Sequence, residues 1–264
     1  MLIYQAGVAA SFHSCPAFMS RVVRVLGTSG GACVSVMLLA SPDKIEQALE
    51  HYCDGALFRG ATFADMLDPT VRLLPRFVNE LGLLSPGAHR VLSGADGRPR
   101  FSVHVTPLRL PFTNVAISDF CDEGEVLDAV RASCCLSPRG VLLRGERCAD
   151  GGLSDSMPLC EETGVDTVTI SPWHGTGIDV SPGLADAGVL VAEPRADLQQ
   201  ERLLEKRNSP KRLGAWIRYN PTWSNAKSLV DAAVPQGRQS AEQRFELGRR
   251  DGMAFLRSIG YGRA

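Results

Sequence analysis

Short apolar runs alternate with longer helical ones along this chain. Residues 22–26 form a short β-branched run that predicts a buried strand, and residues 32–40 are apolar on nearly every side, as in a buried helix. Further strands are predicted at 101–105, 114–118, 142–148 and 166–171. Further helices are predicted at 2–12, 42–52 with Ser41 as the N-cap, 65–84, 124–134 and 242–259. Strands that alternate with helices predict an α/β fold with a mostly parallel sheet.

A glycine-rich pentapeptide, Gly27-Thr28-Ser29-Gly30-Gly31, lies between the first predicted strand and its helix. A Gly-x-Ser-x-Gly between a strand and a helix is typical of a nucleophile elbow, in which a sharp turn projects the serine Oγ into open space. The first N–H groups of the following helix point at the position where an oxyanion would form. A serine in a glycine turn without chemistry remains the alternative for this motif alone.

Composition limits the class of protein. The chain has 264 residues, of which 44% are hydrophobic and 22% charged, which predicts one globular domain over residues 1–264. A net charge of −1 gives no reason to expect a nucleic-acid partner. The eight cysteines contain no C-x-x-C pair, so we expect free thiols in a reducing, cytoplasmic setting, with disulfides in a secreted protein as the alternative. Without a cationic leader or an apolar run of ~18 residues, we expect neither secretion nor a membrane span.

Residues 181–224 are irregular and charged, and they carry several arginines and lysines near aromatic residues. Such a segment can contact an anionic lipid surface. It can equally be a solvated face whose basic residues are balanced by neighbouring acidic ones. Both interpretations stay open, and neither marks a second domain.

The serine of an elbow needs a base to remove its proton. In the Ser-Asp-His order of α/β-hydrolases, the candidate base is His174, in a loop after a predicted strand. The other candidate is Asp150, which precedes Gly151 and Gly152 at a strand exit, although an Asp-Gly-Gly is also a common turn. The residues alone leave both bases open.

Taken together, these motifs resemble the patatin-like phospholipase family, and most closely its adipose triglyceride lipase and adiponutrin branch. The resemblance covers nearly the whole chain. The matching stretches are residues 4–10, 27–31, 117–120, 150–158, 171–173 and 252–256. It implies a three-layer α/β/α fold and a Ser–Asp dyad without histidine, metal or organic cofactor. Ser29 would be the nucleophile, Asp150 the proton acceptor and the Gly30 N–H an oxyanion donor.

The sequence departs from the family pattern in two places. The family has a strand and a G-x-G-x-x-G loop before the helix at residues 4–10, whereas this chain begins at Met1 and has Leu2 about where the last glycine is expected. Either the true start lies upstream or catalysis is impaired. In addition, Ser156 stands where the family motif usually has asparagine after the aspartate that matches Asp155, which affects the support of that loop.

Three functions follow as expectations. The first is a lipid acyl hydrolase that cleaves triacylglycerol or glycerophospholipid at a lipid droplet or membrane surface, to which it binds peripherally. The second is a catalytically impaired lipid-surface or interaction module that lacks the oxyanion loop. The third is a Ser–His–Asp esterase that uses His174.

Overall fold

A computed structural model of the chain describes residues 2–55, 58–61, 65, 68–95, 100–162, 165–173, 178–186 and 237–261. The helices are α1 (Leu2–His13), α2 (Pro16–Met19), α3 (Gly30–Ala40), α4 (Ile45–Cys53), α5 (Leu73–Leu81), α6 (Ala88–Leu92), α7 (Glu123–Ser133) and α8 (Arg238–Ser258). The strands are β1 (Arg24–Gly27), β2 (Arg100–Pro107), β3 (Val115–Ile117), β4 (Val141–Leu143) and β5 (Glu146–Asp150). The predicted α/β class is confirmed.

The helix ends have identifiable local causes. α7 begins after Asp122, whose carboxylate accepts a hydrogen bond from the Glu125 N–H at 2.8 Å. α5 tolerates Pro75 because this residue lies in the first turn, where its missing N–H breaks no helical hydrogen bond. Ser41 occupies the predicted N-cap position, followed by Pro42 at the start of a 3₁₀ turn that leads into α4. Its hydroxyl makes no cap hydrogen bond and instead donates to the Leu83 carbonyl at 2.6 Å.

The sheet is mixed. Among the described strands, β1 and β2 form a parallel ladder, whereas β2 pairs antiparallel with β3 and β5, and β4 pairs antiparallel with β5. Fewer of the strand pairs are parallel than the hydrophobic pattern predicts, because the short β2–β3 and β4–β5 connections can join only antiparallel neighbours. The strand predicted at 166–171 is reduced to a single bridge between Ile170 and Val180.

β1 and β5 meet end to end along the same edge of β2. At Val103, β2 pairs with Gly27 of β1 and also with β3, and at Val105 it pairs with Asp150 of β5 and also with β3. A strand has one neighbour on each edge, so β3 occupies one edge and both β1 and β5 lie on the other. Because β1 runs parallel and β5 antiparallel to β2, the last residues of both strands face each other.

The core covers both faces of β2, whose residues from Phe101 to Pro107 are all buried. A second cluster lies between α1 and α8, which approach so closely that a Cβ added at Gly7 would lie 2.0 Å from the Phe245 carbonyl oxygen. Inside this contact, the Tyr4 hydroxyl donates to the Asp251 carboxylate at 3.0 Å. Burial and the Asp251 charge raise the pKa of Tyr4, so the phenol stays protonated.

Two further expectations can be compared with the described residues. Of the charged segment at 181–224, only residues 181–186 lie within them, so its two interpretations stay predictions. Within the described part of the chain, none of the helices combines the length and apolarity that a bilayer crossing demands. The single-domain organisation over residues 1–264 also stays a prediction.

Candidate active site

Ser29 lies on a strained turn between β1 and α3. Its backbone has φ 53° and ψ −131°, a conformation that non-glycine residues rarely adopt. Gly27 makes the turn possible, since a Cβ there would lie 2.7 Å from the Ala32 Cα and 2.9 Å from the Ser35 Oγ. The predicted strand, turn and helix around Ser29 are therefore present, and Ser29 itself is half-buried.

Asp150 is the last residue of β5 and faces the end of β1. It is only 4% exposed, and its Oδ1 accepts a hydrogen bond from the Gly152 N–H at 2.7 Å. Gly151 passes against β2, where an added Cβ would lie 2.1 Å from the His104 carbonyl oxygen and 2.3 Å from the Thr28 Oγ1. A side chain at position 151 would push the Asp150 turn away from the Ser29 turn.

The facing strand ends bring the Ser29 hydroxyl close enough to the Asp150 carboxylate to influence its pKa. Burial raises the pKa of Asp150, and the hydrogen bonds from Ser29 and Gly152 partly offset this effect. A carboxylate with a raised pKa is a stronger base than an exposed one, which suits proton transfer from a hydroxyl. The arrangement can therefore activate Ser29 as a nucleophile.

Gly30 and Gly31 lie in the first turn of α3, opposite the start of α1. A Cβ at Gly30 would be 3.6 Å from the Leu2 Cβ, and one at Gly31 would be 3.6 Å from the Gln5 Nε2, both ordinary contact distances. Sterics therefore do not require glycine at either position. The Gly30 N–H belongs to the first helical turn, where a helix has no internal acceptor for it, and so it can donate to an oxyanion.

The pattern of motifs missed Ser133, the last residue of α7. The Ser29 N–H donates to the Ser133 Oγ at 2.9 Å, and this hydroxyl donates to the His104 carbonyl at 2.7 Å. The helical spacing of Val126, Val130 and Ser133 places this serine on the apolar face of α7. A buried hydroxyl on an apolar helix face was the signal that could have identified it.

A polar network supports the Asp150 turn from behind. The Thr106 hydroxyl donates to the Asp150 carbonyl at 2.7 Å and lies 2.7 Å from the Ser154 Oγ. The Asn114 amide donates to the Ser154 Oγ at 3.0 Å and, at 3.3 Å, to the Gly151 carbonyl. These contacts fix the backbone carbonyls of Asp150 and Gly151, and sequence motifs did not indicate them.

The loop after this turn retains support despite the departure at Ser156. The Asp155 N–H donates to the Gly151 carbonyl at 2.8 Å, and the Asp155 carboxylate accepts from the Met157 N–H at 3.2 Å. Asp155 itself is 9% exposed. The loop is therefore held by Asp155 through its neighbours.

The remaining candidate groups are the alternative base, the cysteines and a possible metal site. His174, the alternative base, lies outside the described residues. All eight cysteines are free thiols, and the Cys33 and Cys134 sulfurs are 3.7 Å apart. The Cys33 side chain and burial raise the pKa of Cys134, which keeps this thiol protonated beside the elbow. The described residues contain no group of three or more His, Cys, Asp or Glu side chains that could hold a metal ion.

Comparison with known proteins identifies the family of this chain. The model of the family described as patatin-like phospholipase matches residues 2–161, a span that includes both the elbow and the Asp150 turn. The chain belongs to the patatin-like phospholipase family. The resemblance noted in the sequence is thereby confirmed, and membership supports lipid acyl hydrolase activity at the level of the family.

Several human members of the patatin-like phospholipase family are similar to this chain. It is 29% identical to 1-acylglycerol-3-phosphate O-acyltransferase PNPLA3 over 71% of its length and 38% of the relative's. It is 27% identical to patatin-like phospholipase domain-containing protein 2 over 98% of its length and 46% of the relative's. It is 25% identical to patatin-like phospholipase domain-containing protein 4 over 96% of its length and 91% of the relative's. The chain thus spans less than half of the first two relatives.

Proposed function

We propose that this chain is a lipid acyl hydrolase that cleaves carboxylic esters of glycerolipids through Ser29 and Asp150. The observation that carries the proposal is the meeting of β1 and β5 on one edge of β2, which brings a strained serine to a buried carboxylate. Family membership supports the chemistry, and the names of the relatives support glycerolipids as the substrate class.

The reaction follows from the chemistry of these groups. The Ser29 Oγ attacks the ester carbonyl carbon while its proton passes to Asp150. The Gly30 N–H donates to the oxyanion of the tetrahedral intermediate. The alcohol leaves with the proton from Asp150, and the acyl group remains on Ser29. A water molecule then attacks the acyl carbon while Asp150 takes one of its protons. The bond to the Ser29 Oγ breaks, Asp150 returns the proton to that oxygen, and the fatty acid leaves.

The decisive experiment compares the wild type with Ser29→Ala and Asp150→Asn. We expect a fluorophosphonate probe to label the wild type at Ser29, and both variants to lose about 10³-fold or more in hydrolysis of a chromogenic acyl ester. Equal activity in all three proteins would refute the dyad. Loss of activity in His174→Ala with activity retained in Asp150→Asn would favour the histidine-dependent esterase. Lipid binding by an unlabelled wild type would favour the impaired module.

Acyl transfer is a second candidate. Two relatives carry names that denote it, 1-acylglycerol-3-phosphate O-acyltransferase PNPLA3 and the human omega-hydroxyceramide transacylase, which is 26% identical over 65% of this chain. The same acyl-Ser29 would then pass its acyl group to an alcohol instead of water. An assay that offers 1-acylglycerol-3-phosphate with a labelled acyl donor separates the two, since hydrolysis releases free fatty acid and transfer yields a new ester.

Exposed leucines near the β4–β5 hairpin, which ends at Asp150, support binding to a lipid surface. Leu110, Leu136 and Leu142 are 82%, 68% and 61% exposed. Their segments adjoin the β4–β5 hairpin, because the Leu108 N–H donates to the Arg147 carbonyl at 2.8 Å and the Arg147 guanidinium donates to the Arg139 carbonyl at 2.9 Å. Apolar side chains beside arginines suit a lipid–water interface.

This association is tested by comparing emulsified and soluble substrates. We propose that Leu110→Ser with Leu136→Ser lowers the rate on a triacylglycerol emulsion but leaves the rate on a soluble ester unchanged. Val23→Ser is the matched control, since Val23 is 56% exposed but lies before β1, at the opposite end of that strand from Ser29. Equal loss in the control would refute a localised lipid surface.

A further inference from the structure

A single hydroxyl fills the gap where β1 and β5 meet. The Ser133 Oγ accepts the Ser29 N–H at 2.9 Å and donates to the His104 carbonyl at 2.7 Å, and Ser133 is fully buried. The β1–β2 ladder has already ended at the Gly27–Val103 pair. The Ser133 hydroxyl therefore connects the Ser29 N–H to the His104 carbonyl just beyond the point where β1 and β2 stop pairing with each other.

The same segment also holds the other side of the site. The Asp150 N–H donates to the Cys135 carbonyl at 2.8 Å. The segment 133–135, which comprises the last residue of α7 and the two residues after it, thus accepts hydrogen bonds from the backbone N–H groups of both Ser29 and Asp150. Any shift of this segment changes the distance between the two side chains.

The Ser29 backbone needs such support. Its positive φ is costly, and a conformation of this kind persists only where surrounding contacts determine it. Without the hydroxyl of the fully buried Ser133, the Ser29 N–H and the His104 carbonyl would both lose a hydrogen-bond partner. Rotation of the Ser29 backbone toward ordinary φ values would relieve the strain and free the Ser29 N–H from its lost contact. The same rotation would move the Ser29 Oγ away from Asp150.

We propose that Ser133 is a positioning residue that holds the Ser29 backbone in its reactive conformation. The effect of Ser133 on catalysis rests on the proposed function, in which Ser29 is the nucleophile. Ser133 acts on Ser29 through the backbone N–H, so we expect its loss to lower the rate of acylation without weakening the binding of the acylating compound.

The test measures inactivation by a fluorophosphonate over a range of probe concentrations. For Ser133→Ala we expect the maximal inactivation rate to fall about 10- to 100-fold, with the half-saturating concentration unchanged. Ser41→Ala is the matched control, because it removes a buried hydroxyl from the far end of α3, where it donates to Leu83. A wild-type rate in Ser133→Ala, or an equal loss in Ser41→Ala, overturns the proposal.

A second pair of variants guards against failure of the alanine variant to fold. Ser133→Thr and Ser133→Val have nearly the same shape, but only threonine keeps the hydroxyl. We expect threonine to recover most of the rate relative to valine. Equal rates in these two variants contradict the proposal.

Amide exchange gives a readout that does not depend on activity. We expect the residue-29 amide to exchange faster with solvent in Ser133→Ala and unchanged in Ser41→Ala. An unlabelled wild type would refute the proposed function, and the exchange rates alone would then decide whether Ser133 holds the elbow. An unaltered residue-29 amide in Ser133→Ala refutes the positioning role in either case.

Discussion

The turns after β1 and β5 carry the two candidate catalytic groups, and they differ in backbone strain and in the burial of the side chain. Ser29 has a strained backbone, with φ 53°, and a half-exposed side chain. Asp150 has a relaxed backbone, with φ −49° and ψ 127°, and a side chain that is 4% exposed. A nucleophile must reach a substrate, whereas a base gains strength by leaving water. The strain is thus in the backbone of the serine turn, and the cost of desolvation is in the side chain of the aspartate turn.

The largest expected effect on stability comes from Gly151→Ala, which disrupts the packing of the aspartate turn. The new Cβ would lie 2.1 Å from a backbone carbonyl, so the turn must move. We expect a loss of about 3 kcal/mol or more in the free energy of unfolding and at least about 100-fold in ester hydrolysis. Urea unfolding and initial rates measure the two effects.

Gly31→Ala is the matched control for that substitution, since its Cβ would meet only the Gln5 side chain at 3.6 Å. Alanine in a helix is favoured over glycine by up to about 1 kcal/mol, so we expect unchanged or slightly higher stability. A stable Gly151→Ala protein would contradict the close packing of the two turns.

Asp150→Asn tests whether the carboxylate is desolvated at a cost to stability. A pKa raised in the folded state means that folding favours the protonated form. Stability then falls as pH rises from the ordinary aspartate range through the raised pKa, and the full cost persists above it. At pH 7 we expect Asp150→Asn to be more stable than the wild type, with the gain vanishing in acid. Unfolding midpoints across pH measure this difference.

Asp251→Asn is the control, because this second buried carboxylate is structural. It accepts hydrogen bonds from the Tyr4 hydroxyl and from the Gly183 and Ala185 N–H groups at 2.8–3.0 Å. The amide cannot satisfy all of these donors, so we expect a loss of about 1–3 kcal/mol. Equal destabilisation by both substitutions would show that Asp150 is also a structural acceptor.

The smallest expected effect concerns the strain at Ser29. Ser29→Ala and Ser29→Gly both remove the nucleophile, so they differ only in the backbone. Glycine adopts the observed φ without strain, although it loses more entropy on folding, and we expect it to be about 1 kcal/mol more stable than alanine. Denaturant unfolding of the two inactive proteins measures the difference. A more stable alanine variant would mean that the Ser29 turn is not strained.

The sequence pattern predicted those parts of the fold that depend on residues close together in the chain. The strand, turn and helix around Ser29 follow from β-branched, glycine and apolar residues in sequence order. The meeting of β1 and β5 on one edge of β2 does not, because strand partners and register depend on contacts between distant segments. For the same reason, residues 166–171 have strand composition but form a single β-bridge within the described chain, between Ile170 and Val180.

The contact between α1 and α8 also sets when the protein can finish folding. Tyr4 and its partner Asp251 are 247 positions apart. A ribosome adds about 5–20 residues per second, so α1 waits on the order of tens of seconds before α8 exists to cover it. During that interval the apolar helix beside the Ser29 turn has no cover from α8, and a chaperone that shields residues 2–13 would act on this helix before the active site is complete.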